Sequence, residues 1–162
     1  MTRTHMNASL PGPAYASPRD YKRGLFTYIT HGDLPTLFIA PVIYSLVLPL
    51  ALLDAWATLY QWICFSVLGI ARVRRRSFFV LDRHRLPYLN VLEKMNCTFC
   101  SYANGVLGYV REIQARTEVY WCPIKHRKMV VHPHGRYGDF FEYGDAAAFR
   151  RGLNAQRRRL RL

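Results

Sequence analysis

The chain has 162 residues and a formal charge of +13, from 23 Lys and Arg against 10 Asp and Glu. This length supports one modest core, and the charge suits either nucleic acid phosphates or anionic lipid headgroups as partners. The first 33 residues lack an early apolar stretch, which excludes a typical secretory signal and predicts a reducing, cytoplasmic setting. In that setting a C-x-x-C pair indicates metal or redox chemistry rather than a structural disulfide.

Two short parts are predicted ahead of the apolar region. Residues 1–18 are rich in Pro, Ala and Ser and are predicted to be disordered. Residues 19–33 are predicted to form an amphipathic helix at a membrane interface, with Leu25, Phe26 and Ile29 on its apolar side.

A hydrophobic membrane segment is predicted over residues 34–71, where Asp54 is the single charged residue. A straight helix from Leu34 to Ile70 would be about 55 Å long, whereas the hydrocarbon core of a bilayer is about 30 Å thick. Pro49 predicts a kink. Because basic residues flank both ends, the pattern favours a bent or re-entrant hairpin with both ends on the cytoplasmic side. The alternatives are a single tilted, kinked crossing and a hairpin buried in a soluble core.

The polar residues of this segment also carry predictions. A carboxylate within a bilayer is costly, so Asp54 is expected to find water, a headgroup or a partner. Asp54, Thr58 and Gln61 share one helical face, as in an interfacial helix. The basic residues that follow the segment are predicted to bind lipid headgroups, and they are Arg72, Arg74, Arg75 and Arg76.

Residues 77–143 are predicted to form a small helical module rich in Cys and His. Helical patterns follow Pro87 and cover Cys100 to about Val119, and Pro123 is expected to end the second. The glycines of "YANGVLG" are expected to let helices approach closely. Two β-leaning stretches, 78–81 and 128–134, are predicted to pair as a short ribbon.

The main candidate site in this module is a set of cysteines and histidines. The pattern is C-x2-C, then 21 residues, then C-x3-H. Thiolates and imidazole are the ligands that zinc prefers, and four of them close a tetrahedral shell. The sequence therefore predicts a structural zinc site, with His132 and His134 as alternates for its histidine; its ligands are Cys97, Cys100, Cys122 and His126.

Three other readings of these residues stay open. The same ligands could hold an iron–sulfur cluster, since histidine can replace cysteine on iron. Cys97 and Cys100 could instead act as a redox pair, although no thioredoxin-like pattern surrounds them. They could also be ordinary packed thiols.

The basic C-terminal tail, residues 144–162, is predicted to start a helix with Asp145 as its N-cap. Its arginines suit lipid headgroups, an RNA-binding arm or simple solvation. The chain has no phosphate-binding glycine loop, no G-x-S-x-G and no H-E-x-x-H. No catalytic residue is predicted, so the sequence leans away from an enzyme.

Three segments together carry a resemblance: "PVIYSLVLPLALLDAWATLYQWICF", "YLNVLEKMNCTFCSYANG" and "ARTEVYWCPIKH". They resemble a family of small bacterial membrane-associated proteins that has no assigned biochemical role. The resemblance covers about Asp20 to Asp145 and implies a bacterial inner-membrane setting. It supplies no catalytic residues.

The sequence as a whole predicts a mostly α protein, anchored in the bilayer and carrying its Cys/His module on the cytoplasmic side. The predicted function is a metal-binding module, with structural zinc, that presents a surface to a protein partner. The alternatives are a redox or electron-transfer component and a basic nucleic-acid-binding protein.

Overall fold

The computed structural model describes residues 17–22, 24 and 34–161. This part of the chain is mostly helical, and its longer helices are α1 (Leu34–Ser45), α2 (Val47–Tyr60), α3 (Val91–Trp121) and α4 (Ala146–Arg159). Short 3-10 turns occur at Pro18–Tyr21, Arg75–Ser77, Arg83–Arg85 and Tyr137–Asp139. The predicted disordered N-terminus and most of the predicted interfacial helix lie outside the described residues.

The predicted membrane segment folds as one long helix, which we call the apolar helix (residues 34–68). It consists of α1, α2, a π turn at Gln61–Phe65 and a last turn at Ser66–Leu68. The helix is interrupted at Leu46, because Pro49 has no N–H to donate to the Ser45 carbonyl. This interruption lies close to Pro49, where the sequence predicted a kink. The backbone then continues through Asp54 as helix, so the predicted hairpin does not form there.

The apolar helix is unlike the core helix of a soluble protein. It is long and apolar enough from Phe38 to Leu68 to cross a membrane. Only 11% of its most apolar 18-residue window is buried, whereas a soluble core helix would be mostly buried. This exposure counts against the alternative of a hairpin hidden in a soluble core.

Helix α3 is a single helix of 31 residues that joins the two predicted helical patterns. Asn90 caps its start: the Asn90 side chain accepts from the Glu93 N–H at 2.9 Å, and the Glu93 carboxylate accepts from the Asn90 N–H at 2.7 Å. Pro87 lies in the turn before this cap. Pro123 follows the helix end, as predicted.

The apolar helix and α3 run in the same direction. Tyr44 packs on Phe99, Asp54 bonds to Tyr102, and Tyr60 meets Thr117, so the contacts advance along both helices together. Two parallel helices in sequence need a connection that travels back along them. Residues 69–90, which we call the return segment, make that connection.

The return segment packs on α3 through two neighbouring phenylalanines. A Cβ at Gly105 would lie 3.0 Å from the Phe78 carbonyl oxygen and from the Phe79 ring, and one at Gly108 would lie 3.2 Å from the Phe78 ring. The two glycines therefore allow close approach of the return segment to α3, whereas the sequence predicted close approach of another helix. Since consecutive side chains both reach α3, the alternation of a strand is absent. The predicted ribbon is not present in the described residues, where the one β contact is an isolated bridge between Ile124 and Phe141.

The core gathers where these elements meet. Tyr109 of α3 has no exposed surface, and it packs against Phe78 and Phe79. Helix α4 closes the end of the core with Leu160, whose carbonyl accepts from the Ala71 N–H at 2.8 Å. The Asp145 side chain accepts from the Ala148 N–H at 2.8 Å, so the predicted N-cap is confirmed.

Candidate functional site

Asp54 finds its partners within the protein. Two nitrogens of Arg75 donate to its carboxylate, Nε at 3.2 Å and Nη2 at 2.6 Å, and the Tyr102 hydroxyl donates at 3.1 Å. The Arg75 guanidinium also lies over the Phe79 ring, 4.0 Å from its centre. The expected need of Asp54 for a partner is thus met. Arg75, which was predicted to bind headgroups, is instead committed to this cluster.

The protonation states of this cluster are reinforced by its surroundings. The hydrogen bond to Asp54 raises the pKa of Arg75 above its ordinary value, against the opposing effect of burial. Burial, and then the charge of Asp54, raise the pKa of Tyr102. Arg75 therefore stays charged and Tyr102 stays a hydrogen-bond donor at neutral pH.

The rest of the polar stripe also faces the protein. Gln61 is 6% exposed; its Nε2 donates to the Tyr109 hydroxyl, and its Oε1 accepts from the Val73 N–H at 3.0 Å. Thr58 lies 3.4 Å from the same hydroxyl. The predicted stripe exists, but it meets α3 and the return segment rather than headgroups. A usable sequence signal was the spacing of Tyr102 and Tyr109, which are seven residues apart on α3.

The opposite side of the apolar helix is an exposed apolar surface, which we call the outer face. Its residues recur every three or four positions along α2 and the turns after it, and most are well over a third exposed. They are Leu48, Leu52, Trp56, Leu59, Ile63 and Val67. An exposed apolar surface of this length on a soluble protein marks an interaction surface.

The remaining predicted headgroup residues lie where the return segment leaves the apolar helix. Arg72, Arg74 and Arg76 are exposed. Arg72 donates to the Ser66 hydroxyl at 2.8 Å. The side chains of Arg74 and Arg76 make no hydrogen bond or ion pair to the described residues, so their charges are available to an outside anion.

The structure does not bring the predicted zinc ligands together. Cys97 and Cys100 lie in the second and third turns of α3, and Cys122 is the C-cap at the far end of this helix. The helix rises about 32 Å between Cys100 and Trp121, whereas zinc requires every thiolate within about 2.3 Å. One ion cannot take all four ligands from one chain in this fold.

The same holds for other metal clusters in the described part of the chain. No group of three or more His, Cys, Asp or Glu side chains there is placed to hold a metal ion. The residues present therefore do not fit the predicted zinc or iron–sulfur group. All four cysteines are free, and Cys100 and Cys122 are exposed.

The histidines, in contrast, do come together. Residues 122–137, which we call the histidine loop, fold back against α3. Arg111 of α3 donates to the carbonyls of His132 and Pro133 at 2.8 and 2.7 Å. Glu118 accepts from His134 Nε2 at 3.0 Å, while His134 Nδ1 accepts from the Arg136 N–H at 3.2 Å. These bonds assign the ring proton of His134 to Nε2.

Between the loop and α3 lies an open cavity of about 410 Å³, which we call the histidine cavity. His126, His132 and His134 all line it, so the predicted fourth ligand and both alternates share one site. The Tyr137 ring stacks on His126 with 6.2 Å between ring centres.

Glu112 holds the histidine loop through Arg136, and it also pairs with Arg116 of its own helix. Its carboxylate accepts from Arg136 at 2.7 and 3.2 Å and from Arg116 at 2.9 Å. Burial alone would raise the pKa of Glu112, but the bonds and charges of Arg136 and Arg116 outweigh it and lower this pKa below its ordinary 4.5.

This lowered pKa predicts a loss of stability in acid. The contribution of Glu112 is complete above pH 4.5 and is lost as the pH falls through the lower folded-state pKa. We expect the thermal unfolding midpoint of Glu112→Gln to depend less on pH over that acid range than the midpoint of the wild type does. Glu142→Gln is the matched control, because Glu142 is 73% exposed and its pair with Lys125 contributes little. Equal acid profiles for wild type and Glu112→Gln would contradict this role.

Comparisons of the chain with protein-family models, with curated proteins and with solved structures gave no match.

Proposed function

We propose that this protein is a monotopic membrane protein, attached to one side of a bilayer through the outer face of its apolar helix, and that it acts there as a binding module. The observation that carries the proposal is the division of one helix into two sides. Asp54, Thr58 and Gln61 are used by the protein's own α3 and return segment. The outer face is exposed and requires another apolar environment to cover it, and a lipid bilayer is the most general such environment.

Attachment to one side fits the helix better than a full crossing. From Tyr44 onward the apolar helix is accompanied by α3, and the return segment lies beside it at Asp54. The return segment carries exposed arginines that a hydrocarbon core would not accept. The helix residues that come before Tyr44 are the ten from Leu34 to Ile43, and they rise about 15 Å, half a hydrocarbon core.

The attachment is tested by charging the outer face. Leu52 and Val67 are 69% and 81% exposed, so Leu52→Asp/Val67→Asp should leave the fold intact. We expect wild type made in the presence of phosphatidylcholine vesicles to float with them. The variant should partition at least about 100-fold less, because two apolar side chains that would enter the bilayer become charges.

The matched control is Met129→Asp/Val131→Asp, which charges two apolar residues that are 91% and 75% exposed on the histidine loop. It should float like wild type. Equal loss of flotation in both double variants would contradict a specific outer face. Flotation that survives Leu52→Asp/Val67→Asp would contradict the proposal itself.

The one-sided arrangement has its own test. Tags at the two ends of the chain should both be removed by protease added outside sealed vesicles, whereas a crossing helix would protect one of them. The cytoplasmic side and the bacterial inner membrane stay predictions of the sequence and its resemblance. Zinc stays a prediction as well. Binding of one zinc ion by all four ligands of one chain would require α3 to break between Cys100 and Cys122. Elemental analysis of the purified protein would show whether zinc is bound.

A further inference from the structure

We propose that the histidine cavity binds a phosphate monoester whose organic part is apolar. The site is separate from the outer face, and it rests on the chemistry of the side chains that line it. It would give the attached protein a ligand of its own.

Several hydrogen-bond donors that line this cavity have no partner among the described residues. Among the described residues that line it, Glu118 is the only acidic one, and one of its carboxylate oxygens is already bonded to His134. The rings of His126 and His132 make no hydrogen bond to described residues. The Tyr137 hydroxyl accepts from the His126 N–H at 2.7 Å, which leaves its own proton to donate.

Positive charge adds to these donors. Arg111 uses one nitrogen, Nη2, for the two loop carbonyls, so its other N–H groups remain available. Arg127 and Lys128 are exposed on the same loop. A site with spare donors and positive charge around it attracts an anion.

The number and type of lining groups favour a phosphate ester over a carboxylate. A phosphate monoester presents three terminal oxygens, which can use donors from two histidines, Tyr137 and Arg111 together, whereas a carboxylate presents two. The remaining wall is apolar, formed by Leu107, Val110, Ala115 and Val130. A volume of about 410 Å³ is in the range of small-molecule sites.

The test uses the full chain in neutral detergent, with phenyl phosphate as the probe in calorimetric titration. We expect phenyl phosphate to bind more tightly than inorganic phosphate or phenol, since each of these lacks one half of the ligand. His126→Gln/His132→Gln should weaken binding about tenfold or more, as expected for loss of charge-assisted hydrogen bonds. Tyr137→Phe, which keeps the stacked ring, should weaken it less.

His84→Gln is the matched control, because His84 is an exposed histidine in the Arg83–Arg85 turn and does not line the cavity. It should bind like wild type. No binding of phenyl phosphate would overturn the proposal, and so would equal affinities for wild type and His126→Gln/His132→Gln. Equal weakening in His84→Gln would overturn it too, because binding would then follow overall charge.

Vesicle binding distinguishes a phosphate ester that belongs to a lipid headgroup from one that is a soluble compound. If phosphatidic acid added to phosphatidylcholine vesicles tightens wild-type binding but not that of His126→Gln/His132→Gln, the ligand is a lipid headgroup. If that addition has no effect while phenyl phosphate still binds, the ligand is a soluble ester. Wild type and His126→Gln/His132→Gln should float equally well with vesicles of pure phosphatidylcholine. A negative result for phosphate binding can therefore be distinguished from a negative result for membrane attachment.

Discussion

Replacing Tyr109 with alanine is expected to lower the free energy of unfolding by about 3–5 kcal/mol, the usual cost of removing a buried aromatic ring. The Tyr109 ring has no exposed surface and lies between the apolar helix and the return segment. Its removal would leave a cavity and would strand the Gln61 amide in the interior. Reversible urea unfolding in neutral detergent, followed by circular dichroism, measures the change.

Two control variants separate the parts of this effect. Tyr109→Phe removes only the hydroxyl and should cost about 0.5–1.5 kcal/mol. Tyr143→Ala removes a ring that is 63% exposed and should change stability by less than about 0.5 kcal/mol. A cost for Tyr109→Ala as small as that for Tyr143→Ala would contradict the central position of Tyr109.

Asp54→Ala should be the second most costly of these substitutions, at about 2–3 kcal/mol. The change leaves Arg75 and Tyr102 without their shared acceptor. The cost stays below that of a fully buried pair, because the Arg75 side chain is 48% exposed and water can replace part of the interaction. Urea unfolding of Asp54→Ala, Arg75→Ala and the double variant gives the coupling between them, expected at about 1–2 kcal/mol.

Asp82→Ala controls for simple loss of a negative charge. Asp82 is exposed and its side chain makes no capping hydrogen bond, so its removal should change stability by less than about 0.5 kcal/mol. Additive effects of Asp54→Ala and Arg75→Ala would show that the two side chains do not depend on each other. That result would contradict the cluster.

Local signals predicted individual helix ends, although they did not predict that α3 is one continuous helix. Pro123 follows the end of α3 because proline has no backbone N–H to donate. Asp145 caps α4 because its side chain accepts from the N–H of Ala148, three residues later. The charge of Asp54 predicted water, a headgroup or a partner beside it for the same kind of reason: the cost of an unpaired carboxylate depends on its own surroundings. The helical stripe through Thr58 and Gln61 also followed from spacing alone.

The pairing between elements was not predictable in the same way. Arg72, Arg74, Arg75 and Arg76 are equivalent in sequence, and only the path of the return segment brings Arg75 to Asp54. The zinc prediction depended on a bend between Cys100 and Cys122 that no residue requires. Nothing from Val91 to Trp121 is a proline, so helix could continue, and its rise carries the two halves of the motif apart.

The parallel course of the apolar helix and α3 has a consequence for synthesis on the ribosome. Asp54 emerges 21 residues before Arg75 and 48 residues before Tyr102. At about 5–20 residues per second, roughly 2–10 s pass before both partners have been made. In the one-sided attachment that we propose, the apolar segment would carry an uncovered carboxylate at its centre during that interval, which opposes its transfer across a bilayer. The order in which the chain is made would then favour release of the segment to one leaflet, where α3 can later cover it.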